Sequence, residues 1–221
     1  MVTVTSPRRL GVLVAFCALG TALLTWQVVG WGSLSTFDVW AARQARLLKP
    51  DRELFEVTVM VGLRGIILTV CLPYLAWRSW RERTWTAVGG FVLVLLFETG
   101  LVGALKVAVG RSFPYQGPMM LEADLLAFPS GHAGNVVALW GFVAWYVSRG
   151  RAGLRRLLVT VNVVFVLMVG VSSWLIRTHW PSDLVAGYLL GGLALATVVA
   201  FLNAVEVSRA ATPARVPAGR P

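Results

Sequence analysis

Six apolar runs, each close to the roughly 20 residues that cross a bilayer's hydrocarbon core, constrain this chain more than any other feature. They lie at 10–31, 57–77, 86–109, 132–148, 154–176 and 184–205, separated by short segments rich in arginine. Hydrophobic residues make up 57% of the 221 positions and charged ones only 14%, with a mean hydropathy of +0.73, which excludes an ordinary soluble domain. The expected fold is therefore all-α: a polytopic membrane protein with six transmembrane helices in one bundle. The segment 32–56 mixes Phe37, Val39, Trp40, Leu47, Leu48, Leu54 and Phe55 with charged residues, and reads as a short helix lying at the outer interface. No 20 to 50 residue repeat and no long linker divides the chain. Residues 1–207 are expected to form one membrane domain, with 208–221 a basic, disordered cytoplasmic tail.

The net charge of +10 does not indicate a nucleic-acid partner, because the arginines are scattered between apolar spans and build no continuous basic face. Their distribution sets orientation instead. With the N-terminus inside, Arg8, Arg9, Arg78, Arg81, Arg83, Arg149, Arg151, Arg155, Arg156, Arg209, Arg215 and Arg220 fall on the inner side. Arg43, Arg46, Lys49, Arg52, Lys106, Arg111 and Arg177 fall outside. The positive-inside rule then places both termini in the cytoplasm of a cell-membrane protein. Cys17 and Cys71 fall inside predicted spans and read as packing residues.

Only two histidines occur, His132 and His179, and the topology puts both at outer helix ends within polar clusters. In Phe128-Pro129-Ser130-Gly131-His132, a tight turn and a hydroxyl precede the fourth span, whose unpaired N–H groups and positive dipole end favour an anion. In His179-Trp180-Pro181-Ser182-Asp183, the four-residue spacing puts His179 and Asp183 on one face if both lie in a helical turn. The carboxylate then fixes the imidazole tautomer and leaves the other nitrogen nucleophilic. Ser182 and Asp183 also suit a helix cap. Lys106 and Arg111 close the third span; Lys106 is either a snorkelling interface residue or a phosphate ligand. Arg64 and Glu98 are charges at membrane depth, and an interhelical ion pair between them is expected.

Lys106-x4-Arg111-x2-Pro114, Pro129-Ser130-Gly131-His132 and Ser172-x6-His179-x3-Asp183 together resemble the three-part signature of the type 2 phosphatidic acid phosphatase superfamily, which also includes bacterial acid phosphatases and vanadium haloperoxidases. The resemblance implies a phosphatase needing no metal or cofactor. His179 would be the nucleophile oriented by Asp183, and His132 the acid for the leaving oxygen. Lys106, Arg111, Ser130 and Gly131 would hold the phosphate. It implies a lipid phosphate or pyrophosphate substrate drawn from the bilayer at the extracytoplasmic face: a polyprenyl diphosphate, phosphatidic acid or phosphatidylglycerophosphate. A phosphotransferase using the same intermediate, or a non-catalytic lipid-phosphate binding or transport protein, are the alternatives. Two arginines of the family pattern are absent, Phe113 and Ser173 standing in their places. Arg111 and Arg177 each lie two residues before a key position, Phe113 and His179 respectively. Each is either a phosphate ligand reaching from a shifted backbone position or a snorkelling residue at a span end.

Overall fold

The structure, a computed structural model, describes residues 6–211; all the regular structure among them is helical. Helix α1 (Pro7–Val29) opens with Ser6 as cap and Pro7 in the first turn, where a missing N–H costs nothing. α2 (Ser33–Leu48) and α3 (Arg52–Val59) occupy the segment expected to hold one interfacial helix. Lys49, at φ 45°, followed by Pro50, interrupts it, and Asp51 caps the second piece. α3 passes through a 3-10 turn at Met60–Gly62 into α4 (Arg64–Glu82), and the pair bends by 44°. The second apolar run is thus divided rather than one straight helix.

α5 (Thr86–Val109) stops at Gly110, whose φ of 60° and close approach to the Glu122 backbone require a residue without Cβ. The following loop folds back on α5: Glu122 N–H donates to Gly110 C=O at 2.7 Å, and Ala127 N–H to Arg111 C=O at 2.9 Å. α6 (Gly131–Asn135) leads through a π turn at Val136–Trp140 into α7 (Gly141–Val147). α8 (Ala152–Leu175) and α9 (Pro181–Ala211) complete the chain. α9 runs beyond the expected domain boundary at 207, so residues 208–211 are helical. The remainder of the expected tail lies outside the described residues.

Among the described residues four helices, α1, α5, α8 and α9, are long and apolar enough to cross a membrane, and the bent α3–α4 pair is a fifth candidate. Burial separates their roles: half of the most apolar stretch of α9 is buried, against 17% for α1 and α8 and 22% for α5. α9 is the central post, and the others turn Phe16, Leu19, Leu23, Leu157, Val164 and Leu167 outward, as a lipid-facing surface would. Phe91 and Val94 of α5, Leu139 and Phe142 of α6–α7, Ile67 and Leu75 of α4 and Leu202 of α9 share the main apolar core.

Contact between α6 and α9 is made by small residues. A Cβ on Gly187 would collide with Ser130 C=O and lie 2.9 Å from the Ala133 methyl, and one on Gly191 would lie 2.5 Å from Gly134 C=O. Helix axes approach this closely only where side chains are absent. At one end of the bundle Arg78, Glu82 and Tyr146 form a polar group, beside an Arg149–Glu206 pair at 2.7 Å. The signature residues gather at the other.

Candidate active site

Pro181 starts α9, because a ring lacking N–H is accommodated in the first turn of a helix. His179 therefore precedes the helix, and the expectation that His179 and Asp183 share a helical turn is corrected. Their contact arises by capping instead. Asp183 Oδ2 accepts the Trp180 N–H at 2.9 Å, which draws the chain back over the helix end and leaves His179 Nδ1 3.4 Å from the same oxygen. Asp183 is fully buried and His179 only 7% exposed, so little water competes for the carboxylate.

The other Asp183 oxygen, Oδ1, accepts from Arg111 Nη1 at 2.6 Å. Arg111 is itself fully buried. Its Nη1 also donates to Ser182 Oγ at 2.7 Å, its Nη2 to Asp38 Oδ2 at 2.6 Å, and its guanidinium lies 5.1 Å from the centre of the Trp180 ring. Both terminal nitrogens are thus spent inside the protein. Arg111, singled out in the sequence as a phosphate ligand, is placed to brace the carboxylate behind His179.

Asp38 was not singled out by sequence. It sits on the inner face of α2 with Ser35, Ala41 and Ala45, and accepts from Ser182 N–H at 3.0 Å as well as from the Ser182 hydroxyl. Burial pushes the Asp38 carboxyl above its usual range, while the Arg111 guanidinium and the Ser182 donors pull it back. The missed signal was the spacing of those small and polar residues, three or four apart, opposite Phe37, Trp40 and Leu47.

α6 starts at Gly131, with the Ser130 hydroxyl accepting from Ala133 N–H at 3.4 Å, and Ser130 N–H donates to Asp183 C=O at 3.0 Å. That bond ties the first turn of α6, bearing His132, to the first turn of α9. The His132 ring lies within the electrostatic reach of His179, Lys106 and Arg64. Lys106, in the last turn of α5, donates to Leu126 C=O and feels the charges of Asp183 and Glu98. The structure thus gathers His132, His179, Asp183 and Lys106, with the Ser130–Gly131 turn between them. Arg177 is set apart: in the left-handed conformation (φ 59°) after α8, it lines a cavity of about 740 Å³ with Arg43, Arg46, Tyr115 and Trp180, to which neither histidine contributes.

At the two positions where arginine is missing, the Phe113 ring meets the His179 ring, centroids 5.7 Å apart and inclined at 60°. Ser173 is fully buried, with its hydroxyl unpartnered. The expected pair in the second and third spans is present, Arg64 Nη2 lying 3.4 Å from Glu98 Oε2.

A helical bundle with apolar outer faces, carrying two histidines at one end, one of them backed by a buried carboxylate, is the build of a multi-pass membrane protein with a chemically equipped end. The chain belongs to the PAP2 superfamily, whose family model matches residues 87–206. It is similar to phosphatidylglycerophosphatase B of Bacillus subtilis (25% identity, over 64% of this chain and 70% of that protein). It also resembles the lipid A 1-phosphatase of Rhizobium etli (26%; 48% and 46%) and an uncharacterized 22.5 kDa protein in the cps region of Klebsiella pneumoniae (37%; 44% and 46%). The matches thus span about half the length of two of these relatives. Among solved structures, the transmembrane PAP2 type phosphatidylglycerolphosphate phosphatase of Bacillus subtilis superposes with a TM-score of 0.67 at 19% identity, covering 88% of this chain and 97% of that one, a likeness of fold.

Proposed function

We propose that the chain is an integral membrane phosphatase that releases phosphate from a lipid phosphate or pyrophosphate through a phosphohistidine on His179. The observation that carries this reading is the relay from Arg111 through both oxygens of Asp183 to His179 Nδ1. With its Nδ1–H directed at Asp183, the ring offers Nε2 as the nucleophile, and the carboxylate stabilises the imidazolium that forms as nitrogen bonds to phosphorus. As the bond to the lipid oxygen breaks, His132 gives that oxygen a proton. The resulting neutral His132 takes a proton from water, which attacks phosphorus and releases His179 and inorganic phosphate.

Lys106, the Ser130 hydroxyl and the Gly131 N–H hold the phosphate oxygens, a use of charge and helix-end donors that matches the charge developing in phosphoryl transfer. In this reading the chain crosses the bilayer six times, as α1, bent α3–α4, α5, α6–α7, α8 and α9, with α2 at the outer interface and the site facing away from the cytoplasm. α6–α7 spans only about 25 Å at 1.5 Å per residue, so the site lies slightly below the headgroup plane, within reach of a lipid phosphate. The lipid-phosphatase names of two relatives support the substrate class.

The test is phosphate release by detergent-purified protein in EDTA from phosphatidic acid, phosphatidylglycerophosphate and a polyprenyl diphosphate, with His179→Ala as comparison. Release that persists in EDTA and disappears in the variant is expected. Phosphate moving to an added alcohol instead of water would make the protein a transferase. Binding of these lipids without turnover would refute the enzyme reading.

A further inference from the structure

Of the cations singled out at the site, Lys106 alone stays within electrostatic reach of His132 and Asp183 without a carboxylate in direct contact, and it already donates to Leu126 C=O. Phosphoryl transfer spreads negative charge over three equatorial oxygens, and one ammonium already shared with a carbonyl meets little of it. One further cation follows the segment that packs on His132. Arg64 begins α4, and the backbone just before it is fastened to α6 and the π turn that follows it: Asn135 Nδ2 donates to Gly62 C=O at 3.1 Å, and Trp140 Nε1 to Val61 C=O at 3.0 Å. Gly62 lies so close that a Cβ there would be 2.8 Å from His132 C=O. The bend between α3 and α4 thereby sets the first residue of α4 level with the first turn of α6.

The Arg64 side chain is only partly committed. It has one contact with Glu98, single-pronged at 3.4 Å; its Nε is buried with no acceptor, and 38% of the side chain is exposed. Glu98 is fully buried, its free oxygen Oε1 also unpartnered and packed against Gly134, two residues from His132. A pair that served only to neutralise two membrane-depth charges would be expected to close both prongs, as buried guanidinium–carboxylate pairs do.

We propose that Arg64 is a phosphate-binding residue of the catalytic site, supplying from α4 charge that Phe113 and Ser173 do not. Its unengaged N–H groups donate to phosphate oxygens while Glu98 holds Nη2 in place. The inference rests on the phosphatase reading above, but its test includes a readout independent of turnover.

The experiment compares wild type, Arg64→Lys, Arg64→Gln and the double variant Arg64→Gln/Glu98→Gln. Two quantities are read: phosphate release from a lipid phosphate, and the thermal stabilisation in detergent produced by orthovanadate, a phosphate mimic. Arg64→Gln is expected to lose about 100-fold in kcat/KM, the scale of removing one donor from a developing oxyanion, and most of the vanadate stabilisation. Arg64→Lys should retain part of both. The double variant discriminates, because it removes the stranded Glu98 charge: it should regain the wild-type melting midpoint without regaining vanadate stabilisation. A double variant with vanadate stabilisation equal to wild type would overturn the proposal, as would vanadate leaving the wild type unaffected. Wild type stabilised by vanadate but inactive on every lipid would refute the phosphatase reading instead, and the vanadate comparison would still decide the role of Arg64.

Discussion

Removing the guanidinium at Arg111 is the most severe single test of the site's construction. Arg111→Leu keeps approximate bulk but leaves Asp38 and Asp183, both fully buried, without the cation each meets at 2.6 Å. Breaking a buried ion pair by deleting one partner costs about 3–5 kcal/mol. Two carboxylates lose the same partner here, so the upper end applies. At roughly 2–4 °C per kcal/mol for a chain of this size, the thermal midpoint in detergent should fall by about 10–20 °C, read by tryptophan fluorescence. The double variant Asp38→Asn/Arg111→Leu strands one carboxylate fewer. It should melt above Arg111→Leu, a non-additivity expected only of groups in direct contact. An Arg111→Leu protein melting within about a degree of wild type, or a double variant whose losses simply add, would refute the buried relay and with it the account of how Asp183 is held.

Asp183→Asn can keep the cap through its amide oxygen but removes the negative charge facing His179, and should lower phosphate release by roughly 10²–10⁴-fold with little change in KM, because the imidazolium loses its counter-charge. A fall of less than tenfold would mean His179 is oriented by something else. Gly187→Ala must push α6 from α9 at the Ser130 carbonyl and should cost about 1–3 kcal/mol of stability, read as a lower thermal midpoint. Gly89→Ala, where the new methyl meets nothing within 4 Å, should be neutral or stabilising, and equal effects at the two sites would contradict the helix contact. Reporter fusions after Arg83 and at the C-terminus should both report cytoplasm; an extracytoplasmic signal from either would reverse the face assigned to the site.

The clustering of the candidate residues was legible because chemistry-bearing residue types are scarce here. Two histidines in an arginine-rich apolar chain, each beside a turn-forming proline, leave few places for a catalytic site. The helix breaks were not legible for the same reason that the spans were. A run this apolar carries little periodicity, so 57–77 reads as one span across the bend at Gly62–Leu63 despite Arg64 beside it, and 132–148 as one span across the π turn. Pro181 did carry a signal that the four-residue spacing obscured: a proline in the first helical turn excludes His179 from the helix, and Asp183 reaches it by reaching back. Arg111 illustrates a different limit. Its position in the signature was plain, but its engagement depends on Asp38, 73 residues away on a helix whose polar inner face is narrow.

The close seam between α6 and α9 has a consequence for how a lipid could reach the site. Glycine contacts and the Ser130–Asp183 backbone bond weld the acid His132 and the nucleophile's support into one rigid body, in which sliding either helix would break hydrogen bonds as well as packing. An opening cannot be made by parting that seam. Whatever admits a substrate must leave that seam intact, so that the reacting groups stand as a fixed anvil.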